Sequence, residues 1–336
     1  MKRDRPQHSA LALASASALA FALASSAAAE LASAPDAAAH SAAAAAPPPR
    51  VLFSLPVSLP LDNSSVVRVN PTATPLDETL VDFWRLGAGP LAAETTWDVS
   101  AWTGSGIASR AESRALLPPA SVNGSTAMQF AGGVFGASLN LFETPLAPPD
   151  SLGTITIENN WSPATRVQPW APAQGGAVLD MSVRYQAFSG FRTGVAVYSS
   201  WSLGLSNART QRFVWYETAL WDLDRDLGGD ELWIDTISGN VIVHGVLGAP
   251  SDFHTMTADS AASSNACWSG FRLFHWTISA GEIAKAIQMA EAKFNTTLGA
   301  DPADWELVHT NIELEGTPGV RGAHSLANMT ISLTSA

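Results

Sequence analysis

Two aromatic, strand-like segments of this chain carry glutamate where a buried strand would ordinarily carry none. The first runs from Trp215 to Trp221 and holds Glu217 between two tryptophans. Alternate residues of a strand share a face, so Trp215, Glu217 and Trp221 are predicted to point the same way. A carboxylate flanked by indole rings suits the floor of a groove that binds and cuts a sugar chain, because glycosidic bonds are cleaved by carboxylates.

The second segment, Trp305 through Glu315, repeats this pattern near the C-terminus. Asn311, Glu313 and Glu315 are predicted to share one face, whereas the apolar residues between them point to the core. A surface strand that exposes its glutamates to solvent is the ordinary alternative for both segments.

Glu217 and Glu315 can face each other across a cleft if the two strands are near neighbours in one curved sheet. Retaining glycosidases need two carboxyl groups roughly 5–5.5 Å apart, one acting as a nucleophile and one as an acid and base of raised pKa. The pattern therefore predicts a catalytic carboxylate pair.

From Ser121 onward the chain consists of short alternating or apolar runs separated by Gly, Pro, Asn and Asp. Period-two alternation with β-branched and aromatic residues indicates strands. The clearest runs are 154–157, 178–185, 194–198, 212–221, 241–243, 271–274 and 329–333. Regular turns over this length predict an all-β fold, a two-sheet β-sandwich or jelly roll.

One segment departs from the strand pattern. Ser279 and Glu282 have the spacing of a capping box, and apolar residues follow at helical spacing as far as Phe294. Gly299 and Pro302 mark the exit. The sequence therefore predicts one amphipathic helix packed on the sandwich.

The N-terminal part is predicted to hold three segments before the main domain. Residues 1–34 combine a basic start, a short apolar run and small residues, which is typical of a signal peptide and of a secreted, extracellular protein; an organelle transit peptide is the alternative. Residues 35–50 are almost entirely Ala, Pro and Ser and form a linker. Residues 51–120 are an N-terminal extension without a clear motif, and residues 121–336 form the β-domain.

The charge of the chain excludes some partners. The net charge is −12, with only 14% charged residues, so nucleic acid and anionic membranes are not expected to bind. Twelve tryptophans and few charges fit a neutral, ring-shaped ligand such as a polysaccharide, although several of these rings must fill the core. We expect a monomer.

The two glutamate segments resemble motifs of glycoside hydrolase family 12, which contains jelly-roll endoglucanases and xyloglucanases. Tyr216–Trp221 is similar to the family's Tyr-Glu-x-Met-Ile-Trp strand. Trp305–Leu307 followed by Glu313–Glu315 is similar to its Trp-Tyr-Leu and Gly-x-Glu strand, and a helix precedes that strand in both. The resemblance covers about residues 125–336 and implies a concanavalin-like glucanase architecture.

The resemblance implies a retaining hydrolase of internal β-1,4-glucosidic bonds that needs no cofactor. Glu217 would be the nucleophile and Glu315 the acid/base. The residues expected to contact the sugar are Trp215, Trp221, Asn311 and Glu313.

Three positions differ from the family pattern and leave two alternatives open. Ala219 replaces a Met of the cleft, Glu313 replaces the Gly of Gly-x-Glu, and Tyr198-Ser199 replaces a Tyr-Asp whose Asp touches the nucleophile. These changes favour a non-catalytic, lectin-like protein on the same fold. A polysaccharide lyase is a weaker alternative, because the arginines of the chain do not form the recognisable group that a lyase cleft would need.

Metal and thiol chemistry have little support in the sequence. Asp222, Asp224 and Asp226 alternate as calcium ligands can, but Leu227 occupies the position where an EF-hand loop needs Gly. An acidic solvated loop is the simpler interpretation. Cys267, the single cysteine, is expected to be a buried apolar residue next to Trp268.

Overall fold

A computed structural model of the protein describes residues 48–54, 66–69, 78–86, 97–104, 120–122, 126–131, 134–140, 153–161, 163–192, 197–223, 228–235, 238–316 and 320–335. Within these residues the chain forms seventeen strands and one α-helix, α1 (Ala280–Phe294). The strands are β1 (Arg50–Ser54), β2 (Val66–Val69), β3 (Glu78–Leu86), β4 (Trp97–Gly104), β5 (Ala120–Val122), β6 (Thr126–Ala131), β7 (Val134–Asn140), β8 (Gly153–Asn160), β9 (Val178–Arg192), β10 (Val197–Asn207), β11 (Phe213–Asp222), β12 (Glu231–Ile234), β13 (Val241–Val246), β14 (Thr255–Met256), β15 (Arg272–Ile278), β16 (Trp305–Gly316) and β17 (Val320–Thr334).

The described strands form two sheets, which confirms the predicted all-β sandwich with one packed helix. The larger sheet has nine described strands in the order β12-β13-β11-β10-β16-β8-β4-β3-β2. The smaller sheet has eight, in the order β14-β15-β9-β17-β7-β6-β5 with β1 paired to β17. Both predicted glutamate segments, β11 and β16, lie in the centre of the larger sheet and flank β10.

Buried aromatic rings fill the space between the two sheets. Trp201 of β10 meets Trp276 of β15 edge to face, with centroids 5.3 Å apart, and both rings are fully buried. The indole nitrogen of Trp201 donates to Thr310 Oγ1 at 2.8 Å, so this buried polar group is paired. Large buried rings contribute most of the favourable free energy of such a core.

A polar contact also crosses the sandwich. His324 of β17 is fully buried, and its Nδ1 lies 3.2 Å from both Ser199 Oγ of β10 and the Tyr185 hydroxyl of β9. Burial lowers the pKa of His324 to about 3, so the ring is neutral in the folded protein. Ser199 therefore belongs to the core and not to the outer face of its sheet.

The helix begins at the capping box that the sequence predicts. Ser279 Oγ accepts from the Glu282 amide, and the Glu282 carboxylate accepts from the Ser279 amide. The buried face of α1 consists of Ile283, Ala286, Ile287 and Ala290. Lys293 Nζ donates to the Leu232 carbonyl at 2.7 Å and ties the last turn to β12. Within the described residues, no helix is long and apolar enough to cross a bilayer.

The segment 51–120 contributes strands to both sheets. Strand β1 pairs with β17, and β4 pairs with β8 next to the centre of the larger sheet. The sheets are therefore continuous across the boundary drawn at residue 120. The predicted signal peptide at 1–34 and the linker as far as residue 47 lie outside the described residues.

The expectation for Cys267 is wrong. Cys267 is exposed, whereas the neighbouring Trp268 is buried and packs against Tyr185 and Phe274. Only one of two adjacent extended residues can face the core, and the larger apolar ring occupies that place.

A histidine lies between two carboxylates on the outer face of the smaller sheet. His275 Nε2 is 3.1 Å from Asp180, and its Nδ1 is 3.0 Å from Asp259. Partial burial lowers the pKa of His275, but the hydrogen bonds and charges of Asp180 and Asp259 outweigh this effect and the net shift is upward.

We expect His275→Gln to lower stability more at acidic than at alkaline pH. A histidine whose folded pKa is raised contributes stability that is present below its unfolded pKa, near 6.5, and that is lost as pH rises through the folded pKa. The melting temperature of the variant should therefore lie furthest below wild type near pH 5–6 and approach it near pH 8. A gap that widens toward pH 8 would contradict this assignment.

Candidate functional site

Strand β10 brings the two glutamate strands within one strand of each other. In the register of the larger sheet, Ser202 lies between Glu217 of β11 and Asn311 of β16. Two residues earlier in β10, Ser200 is paired with Glu313. Two residues before that, Tyr198 is paired with Glu315. The predicted site residues Glu217, Asn311, Glu313 and Glu315 are thus gathered on one face around β10.

The outer face of β10 carries only small groups along this stretch. Ser200, Ser202 and Gly204 alternate on it, while longer side chains stand on both neighbouring strands. At Gly204 a Cβ would lie 2.7 Å from His309 Cβ and 2.9 Å from the Phe213 ring, so a larger residue would clash. The longer side chains of the two neighbouring strands cover these small residues, since Ser200 and Ser202 are buried.

Three glutamates share the face of the sheet that carries Tyr198. Its hydroxyl donates to Glu315, and the Ser200 hydroxyl donates to Glu313 at 2.7 Å. Burial raises the pKa of Tyr198 well above its usual value, and the negative charges of Glu315, Glu313 and Glu217 raise it further. The Tyr198 hydroxyl therefore stays protonated near neutral pH and can donate a hydrogen bond.

A histidine lies beside Glu217 on the neighbouring strand β13. Strands β11 and β13 are parallel, and their register places His244 next to Glu217. His244 Nδ1 lies 3.3 Å from Glu217 Oε2, and the two side chains are 7% and 12% exposed. The Trp233 ring of β12 packs on His244 with centroids 5.2 Å apart.

Trp215 lies on the site face as predicted. It is half-buried, and its ring meets His309 at 5.1 Å and Phe213 at 4.8 Å, edge to face in both cases. Burial lowers the pKa of His309 to about 4, so this ring is neutral near pH 7. Trp215 therefore sits in an uncharged aromatic setting two residues from Glu217.

The prediction that Trp221 lines the cleft is wrong. The register of β10 and β11 shifts between Ser199 and Ser200, so that Ser200 faces Ala219 while Ser199 faces Trp221. This irregularity reverses the alternation, and Trp221 is fully buried in the core between the sheets. Ala219, which stays on the site face, is almost fully buried as well.

Two polar atoms in the row of Glu217 have no partner within the described part of the chain. They are Ser202 Oγ and Asn311 Oδ1, and both residues are buried. Buried polar atoms normally form hydrogen bonds, so these two are unsatisfied groups that lie beneath the site face and are not open to solvent.

The acidic segment after β11 gives no metal centre among the described residues. Asp222 is buried at the end of the strand, whereas Asp224 and Asp226 lie outside the described residues. No group of three or more His, Cys, Asp or Glu side chains capable of holding a metal occurs in the part that the structure describes. The calcium hypothesis stays a prediction.

The sequence alone did not identify His244 or Trp233 as members of the site. His244 lies in a predicted strand run, but its neighbour Glu217 is 27 residues away. Only the parallel pairing of β11 and β13 joins them, and no local pattern encodes such a pairing. In the sequence, Tyr198 is only the first half of an incomplete match to the Tyr-Asp pair of the resembling family.

Fold and site together define a β-sandwich with a cluster of three glutamates and flanking aromatic rings on the outer face of its larger sheet. No family model and no curated protein matches this chain. Among solved structures, it is similar to a family 12 xyloglucanase from Bacillus licheniformis, at 9% identity and a TM-score of 0.35, over 69% of this chain and 93% of that one.

Two further solved structures are similar at the same level. Endoglucanase 3 of Trichoderma harzianum, from family 12, gives 6% identity and a TM-score of 0.36 over 78% of this chain and all of the other. A family 11 xylanase from Neocallimastix patriciarum gives 11% and 0.33 over 80% of this chain and all of the other. Similarities this low assign no activity, so function must be argued from the site.

Proposed function

We propose that this protein is a retaining glycoside hydrolase that cleaves internal β-1,4-glucosidic bonds in glucan or xyloglucan. The observation that carries the proposal is that Glu217, Glu313 and Glu315 lie beside β10 on one face of the sheet, which also bears Trp215. Because a polysaccharide is too large to enter most cells, we further propose that the protein acts outside the cell, in keeping with the leader expected at residues 1–34.

In the proposed reaction, a Glu217 oxygen attacks the anomeric carbon and the glycosidic carbon–oxygen bond breaks. Glu315 gives its proton to the departing oxygen. Glu315 then takes a proton from water, whose oxygen attacks the same carbon, and the bond to Glu217 breaks with its electron pair returning to the carboxylate. The chemistry uses no metal or organic cofactor.

The surroundings of Glu315 support its role as the acid and base. Tyr198 remains protonated and holds the Glu315 carboxyl by a hydrogen bond. A neutral donor that fixes the direction of the Glu315 carboxyl keeps its oxygens oriented for proton transfer. Glu313, held by Ser200, is assigned to substrate binding.

The test is release of reducing sugar by the purified protein from barley β-glucan and from xyloglucan, with Glu315→Gln and Glu313→Gln measured beside it. We expect wild type to be active, Glu315→Gln to lose most activity, and Glu313→Gln mainly to raise KM. Loss in Glu313→Gln with full activity in Glu315→Gln would reverse the two roles.

A second candidate, a carbohydrate-binding protein without turnover, is favoured by one observation. Ser199, which stands where the resembling family has an acid that touches the nucleophile, lies in the core against His324. This candidate predicts saturable binding of glucan with no reducing ends released.

A further inference from the structure

We propose that His244 is the positioning residue of Glu217, holding its carboxylate in the attacking orientation through a hydrogen bond from Nδ1. The inference rests on the proposed hydrolase function and adds to it a residue from outside the two glutamate strands.

The geometry of the pair favours a fixed contact. The parallel register of β11 and β13 sets Glu217 and His244 side by side on the same face. The 3.3 Å separation of Nδ1 and Oε2 allows the ring N–H to donate to the carboxylate. Both side chains are almost buried, so water competes little for the bond.

The surroundings of His244 hold the ring in place. Trp233 packs on it from β12, with an angle of 46° between the ring planes. The titratable groups paired with His244 on its own face of the sheet are Glu217 across β11 and Glu231 across β12. Two neighbouring carboxylates favour a ring that donates a hydrogen bond.

A hydrogen bond from His244 to one oxygen of Glu217 fits the chemistry of a carboxylate nucleophile. A donor to Oε2 leaves the other carboxylate oxygen to attack the sugar. When the bond from the anomeric carbon to Glu217 breaks, the same donor stabilises the charge that returns to the carboxylate.

The test compares two substitutions of His244, one that keeps a hydrogen-bond donor and one that does not. The amide nitrogen of Asn in His244→Asn lies close to where Nδ1 stood and can still donate, whereas His244→Leu fills the space without a donor. We expect kcat of His244→Leu to fall about 100-fold with KM within about twofold, as for a misplaced nucleophile. We expect His244→Asn to retain kcat within about tenfold of wild type.

His275→Gln, on the opposite sheet, is the matched histidine control and should keep wild-type kcat near pH 7. A second readout does not depend on turnover: the imidazole N–H proton resonance of His244, identified by its loss in His244→Leu. We expect that resonance to move upfield in Glu217→Gln, because a neutral amide oxygen replaces the charged carboxylate as the acceptor.

The outcomes separate the two proposals. A His244→Leu variant with wild-type kcat, or a resonance that Glu217→Gln leaves in place, overturns the role of His244. A wild-type protein that releases no sugar overturns the proposed function, and the resonance then decides on its own whether His244 holds Glu217.

Discussion

Replacement of Glu217 with glutamine is expected to remove hydrolysis and to leave folding and glucan binding intact. The amide matches the carboxylate in shape but cannot attack the anomeric carbon, so kcat should fall at least about 1,000-fold. Glu217 is 12% exposed and its carboxylate contacts His244, so Gln preserves the packing and one hydrogen-bond acceptor. Reducing-sugar release and the melting temperature, measured on the same preparations, check both halves of this expectation.

Glu306→Gln is the matched control for that substitution. Glu306 lies in β16 of the same sheet, but it pairs with Arg166 at 3.7 Å and not with the carboxylate cluster. Its turnover should equal that of wild type. A Glu217→Gln variant that hydrolyses glucan as fast as Glu306→Gln would remove Glu217 from the mechanism.

Replacing Trp221 with alanine is expected mainly to lower stability, whereas replacing Trp215 with alanine is expected mainly to weaken glucan binding, although both residues lie on β11. Trp221 is fully buried, so Trp221→Ala leaves a cavity and should destabilise the fold by about 3–5 kcal/mol. For a domain of this size, that corresponds to a fall of roughly 10 °C in the melting temperature. Trp215→Ala truncates a half-buried ring and should cost only about 1 kcal/mol.

Activity should separate the same two variants in the other direction. Trp215→Ala removes an aromatic surface from the site face, so KM for glucan should rise while kcat changes little. Trp221→Ala should keep wild-type KM in the fraction that remains folded. A Trp221→Ala protein that melts at the wild-type temperature but binds glucan weakly would place this ring on the site face.

Local signals explain why part of the fold was predictable. The capping box of Ser279 and Glu282 is encoded within four residues, and helix α1 begins where the sequence predicts it. Alternation in β16 is regular from Asn311 to Glu315, so the predicted division into a core face and a site face holds there. The two-sheet class follows from many such short runs.

Non-local pairing explains what the sequence could not provide. A single irregularity between β10 and β11 moved Trp221 from the site face to the core, and nothing within the Trp215–Trp221 motif indicates it. The partner of Glu217 depends on which strand lies beside β11, and this is fixed by the whole sheet. Segment 51–120 has no recognisable motif, yet it contains β4, which pairs with β8.

The most direct test of the central claim is to trap the covalent intermediate. The wild-type protein is incubated with a 2-deoxy-2-fluoro cellobioside carrying a good leaving group, then digested, and the labelled peptide is identified by mass spectrometry. We expect one fluoroglycosyl adduct, on the carboxylate of Glu217, and loss of that adduct in Glu217→Gln. An adduct on Glu313 or Glu315, or none on a protein that hydrolyses glucan, would contradict it.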